Sequence, residues 1–166
     1  MKEYDMVPIV FGSTTGDTEN AAKLIGSIIG DATVINVADA GIDVFNTDSL
    51  LILGTSTWGS GELQDDWEQG IELLKQVDLS GKKVALFGFG DQEVWGDTFL
   101  NGMRILYDAA VAQGAEIIGS WPVDGYEYTD SAAVIDGKFV GLALDENNQG
   151  DLTEERIRIW VETIRP

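Results

Sequence analysis

Short apolar runs alternate with longer amphipathic segments along the whole chain. Four runs are nearly continuous in apolar residues, as strands covered on both faces are, and they lie at 6–11, 33–37, 50–54 and 84–89. Four segments place apolar residues at helical spacing, and they lie at 18–29, 65–76, 100–110 and 151–164. A fifth strand is predicted to begin at 117–118 and to resume over 139–144, after a turn-rich stretch at 121–137. The alternation predicts one α/β domain spanning 1–166, with a parallel sheet, right-handed crossovers and helices on both faces.

Three of the predicted strands end in unusual loops, at 12–18, 55–63 and 88–97. In a parallel sheet the ligand site lies beyond the carboxyl ends of the strands, so we expect these loops to converge. The first loop is rich in glycine and hydroxyl residues and leads into a helix, whose unpaired N–H groups and dipole favour a phosphate. Taken alone, this stretch fits a phosphate site and an ordinary turn with a Ser/Thr cap equally well.

The other two loops each carry a tryptophan between glycines, Trp58 and Trp95. A lone tryptophan normally packs in a core, but two at converging loops are suited to sandwich a flat ring, each contact adding about 0.5–1.5 kcal/mol beyond area burial. Together with the hydroxyl-rich loop, these residues predict a site for a phosphorylated planar cofactor.

Composition excludes several classes of chemistry. The chain of 166 residues contains no Cys and no His, which excludes disulfides, thiolate metal sites, cysteine nucleophiles and most hydrolytic triads. A dinucleotide fingerprint starting at Gly88 fails at Glu93, and a calcium loop starting at Asp145 fails at Arg156, so no metal site is predicted. With no apolar segment typical of a signal peptide or a membrane span, we expect a cytoplasmic protein.

The charge is strongly acidic, with 10 Lys and Arg against 29 Asp and Glu and a formal net charge of -19. Such a surface repels nucleic acid and anionic membranes and attracts basic proteins. We therefore expect basic docking partners, with solubility as the alternative use of this charge.

Several motifs resemble the three FMN-binding loops of flavodoxins and occur in the same order. They are the stretches 13–18, Thr57-Trp58 with 61–64, and 90–92. The stretch 121–126 followed by 137–145 resembles the insertion and fifth strand of the long-chain flavodoxins. The resemblance covers essentially the whole chain and implies a five-stranded sheet of order 2-1-3-4-5, doubly wound, with FMN at the switch point and an insertion in the fifth strand.

The resemblance also implies roles for individual residues. Residues 13–18 would hold the phosphate, Trp58 would cover the inner face of the flavin, and Trp95 the outer face, where the family usually has Tyr. Asp91 would contact the pyrimidine edge. Because Asp17 stands where many long-chain members have Lys, the phosphate would be held by N–H and O–H donors alone. The full set of expected FMN contacts is Ser13, Thr14, Thr15, Gly16, Asp17, Thr18, Thr55, Ser56, Thr57, Trp58, Gly59, Gly61, Gly88, Gly90, Asp91, Trp95, Asp97 and Asp145.

The function implied is that of a monomeric, low-potential one-electron carrier that uses the semiquinone/hydroquinone couple of non-covalently bound FMN. Its partners would be basic redox proteins, such as a flavodoxin or ferredoxin reductase and electron-accepting enzymes. We hypothesise that the carbonyl of Gly59 turns to accept a hydrogen bond from flavin N5, since glycine tolerates either backbone state. The alternatives are an FMN-dependent quinone reductase of the same fold and a flavin-free binding module.

Overall fold

The structure is a computed structural model that describes residues 6–47, 50–58 and 60–165. In these ranges the strands are β1 (Val7–Phe11), β2 (Ala32–Asn36), β3 (Leu50–Trp58), β4 (Glu62–Leu63), β5 (Lys83–Phe89), β6 (Glu116–Ile118), β7 (Trp121–Pro122), β8 (Val134–Ile135), β9 (Lys138–Phe139) and β10 (Leu142–Leu144). The helices are α1 (Asp17–Ile29), α2 (Asp65–Leu74), α3 (Asn101–Ala112), α4 (Glu146–Gln149) and α5 (Thr153–Ile164). Short 3-10 turns occupy Val37–Asp39, Ile42–Phe45 and Gly150–Leu152. Among the helices of these ranges, none is both long and apolar enough to cross a membrane.

The main sheet is parallel and runs β2-β1-β3-β5, with its fifth position shared by two short strands. β6 pairs with Lys83–Ala85 at the start of β5, and β10 pairs with Phe87–Phe89 at its end. The predicted fourth strand is thus β5, and the predicted fifth strand is β6 followed by β10. This confirms the order 2-1-3-4-5 and the interruption of the fifth strand by an insertion, residues 119–141.

Alternating side chains of the central strands feed two cores, one on each face of the sheet. Ile9, Ile52 and Phe87 pack with Ile25 of α1 and Trp160 of α5. Their neighbours along the strands point the other way, into a core shared with α2 and α3; this second core includes Val10, Leu53, Leu86, Trp67 and Met103. The three layers place the carboxyl ends of the parallel strands at one edge, where the functional loops begin.

The structure corrects two predicted boundaries. A loop was expected from Thr55, but β3 continues to Trp58, because β4 pairs with it in an antiparallel hairpin and its Thr and Trp residues favour extended backbone. The continuous strand expected over 139–144 is divided instead. Phe139 joins a small sheet of order β7-β9-β8, and the chain reaches the main sheet only after Gly141, where a side chain would overlap the carbonyl oxygen of Leu86.

Candidate functional site

A cleft of about 240 Å³ lies at the carboxyl edge of the main sheet. All three predicted loops contribute to it, so their expected convergence is found in the structure. A fourth segment, at the start of α4 after β10, closes one side. The residues that line the cleft are Thr15, Asp17, Ser56, Thr57, Trp58, Phe89, Gly90, Asp91, Trp95, Glu146 and Asn147.

The first loop turns sharply between β1 and α1. Gly16 adopts a φ of 99°, a left-handed conformation that favours glycine, and its N–H donates to Ser13 Oγ at 3.0 Å. Thr14 and Thr15 are exposed, whereas Thr18, in the first turn of α1, is buried. Because the first N–H groups of a helix have no partner within the helix, this turn offers N–H donors together with the hydroxyl groups of its Ser and Thr residues.

Two indole rings line the other part of the cleft. Trp58, at the end of β3, is 39% exposed, and Trp95, in the loop after β5, is 42% exposed. Trp58 Nε1 donates to Ser56 Oγ at 2.8 Å, and the backbone N–H of Trp95 donates to the carbonyl of Asp91 at 2.9 Å. The ring of Trp58 and the backbone of Trp95 are therefore each held by a nearby residue, and both rings stay partly exposed, as a stacking role requires.

The carboxylate of Asp91 organises the third loop. It accepts the backbone N–H groups of Glu93 and Val94 at 3.1 and 2.9 Å. It also accepts the side-chain amides of Asn147 and Asn148 at 3.1 and 2.8 Å. Partial burial acts to raise the pKa of Asp91, but these donors outweigh it, and the net pKa is lowered. Asp91 is thus a fixed anion at the mouth of the cleft.

Asp145 is fully buried and does not line the cleft. One of its oxygens accepts the N–H of Gln92 at 3.0 Å, Gln92 Nε2 at 2.8 Å and Asn148 Nδ2 at 2.9 Å, and the other accepts the N–H of Asn148 at 3.1 Å. These bonds tie the end of β10 to the loop that carries Trp95. The structure places Asp145 behind the site, where it supports the cleft through Gln92.

The insertion also supports this loop. Gln92 Oε1 accepts the N–H of Glu127 at 2.6 Å, and the carbonyl of Gly96 accepts the N–H groups of Thr129 and Asp130 at 2.8 and 2.9 Å. Its aromatic residues pack on Phe99, which ends the loop; they are Tyr126, Tyr128 and Phe139. The sequence left the role of the insertion open. In the structure the insertion packs against the Trp95 loop and supports it.

The other predicted contacts in the described ranges are not among the residues that line the cleft. Four of them belong to the first loop and the start of α1: Ser13, Thr14, Gly16 and Thr18. Gly88 lies inside β5, Thr55 is fully buried in β3, Gly61 forms the turn of the β3–β4 hairpin, and Asp97 is exposed outside the cleft. Gly59 is outside the described residues. Three lining residues were missed: Phe89, Glu146 and Asn147. The polar run that follows the last strand at 145–148 was the available signal, because its position after a strand end matches that of the other loops.

The electrostatics of the cleft are entirely acidic among the described lining residues. Asp17, Asp91 and Glu146 contribute carboxylates, and no Lys or Arg side chain lines the cleft in this part of the chain. The ion pairs found among the described residues join helix neighbours at the surface, away from the cleft. Donors of the first loop and two indole faces match the chemistry of a planar molecule that carries a phosphate.

Comparisons with known proteins agree with this geometry. The family model described as flavodoxin matches residues 9–160. A flavodoxin of Synechocystis is 45% identical over 163 residues, covering 96% of each chain, and one of Enterobacter agglomerans is 44% identical over 176 residues, covering 96% of this chain and 97% of the relative. A crystal structure of Fusobacterium nucleatum flavodoxin bound to flavin mononucleotide superimposes with a TM-score of 0.90 at 34% identity, covering 95% of both chains. Matches of this extent, on a chain that folds and builds its cleft as described, establish that the protein belongs to the flavodoxin family.

Proposed function

We propose that this protein carries single electrons between redox enzymes through FMN bound non-covalently in the cleft. The observation that carries the proposal is the pairing of two open indole faces with a hydroxyl-rich helix start, in a chain of the flavodoxin family. Flavodoxins are FMN-based electron carriers rather than enzymes, and a flavodoxin similar to this chain has been crystallised with FMN. The quinone-reductase alternative is not favoured by these relatives.

The residues present fit FMN. The N–H and O–H donors of 13–18 suit the phosphate, Trp58 suits the inner face of the ring, and Trp95 suits the outer face. Asp91, with Thr57 and Gly90 beside it, would meet the polar edge of the ring. When bound, FMN supplies one-electron redox chemistry.

We propose a low reduction potential for the bound cofactor. Asp17, Asp91 and Glu146 place negative charge around the cleft, and like charges make an additional electron less favourable. Gly59 remains a proposal from the sequence: its carbonyl would accept a hydrogen bond from flavin N5, with a low cost for turning the peptide. A redox titration of wild type and Gly59→Ala tests it, and the proposal fails if both proteins separate the two one-electron steps equally.

We further propose that the protein belongs to the long-chain subclass and acts as a monomeric, single FMN-binding domain in the cytoplasm. The insertion at 119–141, which interrupts the fifth strand position and backs the Trp95 loop, supports the subclass. Sedimentation at micromolar concentration tests the monomer. A mass of twice the chain would contradict it.

Basic redox proteins are the proposed partners. The net charge of -19 and the three carboxylates at the cleft favour a partner whose docking surface carries Lys and Arg. Electron transfer from a basic reductase should therefore slow by roughly tenfold or more between low salt and physiological salt. A rate that does not change with salt would contradict this choice of partner.

Reduction of the purified protein tests the proposed function directly. The expected result is a tightly held flavin, released by denaturation and identified as FMN, that takes up two electrons in two resolved one-electron steps. A single two-electron step together with quinone turnover would support the reductase instead. A colourless protein that fails to bind added FMN would leave only the flavin-free module.

A further inference from the structure

Gln64 lies between the loop assigned to the phosphate and the hairpin that carries Trp58. It follows β4 and directly precedes α2, and its side chain is only 1% exposed. A buried amide has two donors and one acceptor that need partners, so its contacts are determined by its surroundings. The partners of the Gln64 amide lie on two different elements: Asp66 is in α2, and Thr14 is in the first loop.

The hydrogen bonds fix the orientation of this amide. Gln64 Oε1 accepts the backbone N–H of Asp66 at 3.0 Å, and a backbone N–H can only donate. Nε2 therefore faces the other way, where it donates to Thr14 Oγ1 at 3.0 Å and to Asp66 Oδ2 at 3.2 Å. Since the hydroxyl of Thr14 accepts from Gln64, its own hydrogen points elsewhere, and polarisation by the incoming bond makes it a better donor.

Gly12 forms a second contact between Gln64 and the first loop. A side chain at Gly12 would overlap Gln64 Oε1 and lie 2.7 Å from Trp67 Cδ1, so the backbone of the loop rests directly on the amide. Trp67 is itself held in place, because its Nε1 donates to the carbonyl of Gly54 at 2.8 Å. Gln64 thus contacts the first loop at two points: its amide packs against the backbone of Gly12 and donates a hydrogen bond to the hydroxyl of Thr14.

We infer that Gln64 is a positioning residue for the phosphate, which it serves by holding Thr14 so that its hydroxyl donates to the anion. The inference rests on the proposed FMN function. Its importance follows from the acidic cleft: with no Lys or Arg among the described lining residues, each correctly aimed hydroxyl carries a larger share of the binding.

Comparing FMN with riboflavin, which lacks the phosphate, separates this role from general support of the fold. Gln64→Met keeps the volume of the side chain and removes both hydrogen-bonding groups. We expect the Kd for FMN to rise roughly five- to tenfold, the range of one lost hydrogen bond, and the Kd for riboflavin to stay within about twofold. Gln92→Met is the matched control, because this second buried glutamine supports the Trp95 loop and its loss should weaken both flavins alike.

A double-mutant cycle with Thr14→Val tests the route through Thr14. Thr14 is exposed, so this substitution leaves the core unchanged, and alone it should weaken FMN as Gln64→Met does. Combining the two should add little further loss. Equal weakening of FMN and riboflavin by Gln64→Met, no weakening of either, or full additivity in the cycle would overturn the inference. Failure of the wild-type protein to bind FMN would overturn the proposed function instead.

Discussion

Replacing the buried carboxylate of Asp145 should destabilise the protein more than replacing an exposed acid of the loop that Asp145 supports. Asp145→Ala removes the acceptor for two donors of Gln92, its backbone N–H and its side-chain Nε2, and Gln92 is itself buried. An orphaned buried donor costs about 1–3 kcal/mol, so two at about 1.5 kcal/mol each predict a loss of about 3 kcal/mol. Asn148 Nδ2 loses less, since it still donates to Asp91 at 2.8 Å.

Two further variants calibrate this value. Asp145→Asn can place its amide oxygen where one carboxylate oxygen accepts three of the four bonds, but it then turns its NH₂ toward the N–H of Asn148. We expect it to cost about 1.5 kcal/mol, because one bond is lost and two donors face each other. Asp97→Ala, at an exposed position of the Trp95 loop, should change stability by less than about 0.5 kcal/mol.

Urea unfolding of the flavin-free proteins measures these differences without the added stability that a bound ligand provides. Because Asp145 supports the loop that carries Trp95, its Ala variant should also weaken FMN and riboflavin by similar factors, although its carboxylate does not line the cleft. Asp145 would not have this structural role if Asp145→Ala and Asp97→Ala unfolded at the same urea concentration, or if Asp145→Asn were the more damaging of the two Asp145 variants.

Two other predictions concern the sheet and the insertion. Gly54→Ala places a methyl group against the ring of Phe87 and should cost about 2 kcal/mol in urea unfolding, whereas Gly41→Ala, which meets open space, should stay within about 0.5 kcal/mol; equal effects would contradict the packing argument. Burial raises the pKa of Tyr126 to about 12 against an ordinary 10, so above pH 10 the folded state keeps a proton that the unfolded chain releases. Stability should therefore fall by about 2.7 kcal/mol in total as pH rises from below 10 to above 12, and a Tyr126→Phe protein that declines just as steeply would contradict this.

The periodicity of the sequence was sufficient to predict the strands of a parallel sheet, because buried parallel strands such as 84–89 are continuous apolar runs that polarity alone reveals. The order of the strands was implied by the resemblance to flavodoxins. The periodicity also located most of the cleft, since strand ends at 11, 54 and 89 had to share one edge. It failed for the extension of β3 to Trp58, because that extension also depends on pairing with Glu62 and Leu63, which local preference does not reveal.

The supports of the site were harder to predict than its surface. Asp145 bonds to Gln92, and Asn148 to Asp91, across more than 50 residues of sequence, so no local pattern connects them. A buried carboxylate that lies behind a site has the same sequence signature as one that lines it. The resemblance to flavodoxins placed Asp145 near the flavin, and in the structure its buried carboxylate bonds to Gln92 and Asn148 and is not among the residues that line the cleft.

The chain leaves the main sheet after Ile118 and returns at Leu142, while only Leu86 separates their partners on β5. The insertion therefore replaces a single position of the fifth strand, opposite Leu86, whatever the number of residues it contains. The entropic cost of closing a loop also grows only slowly with the number of residues. Evolution can therefore lengthen, shorten or redecorate 119–141 while the scaffold stays constant. Such changes alter the contacts that support the Trp95 loop. Natural variation in this segment can therefore adjust the redox behaviour of the cofactor site without changing the fold.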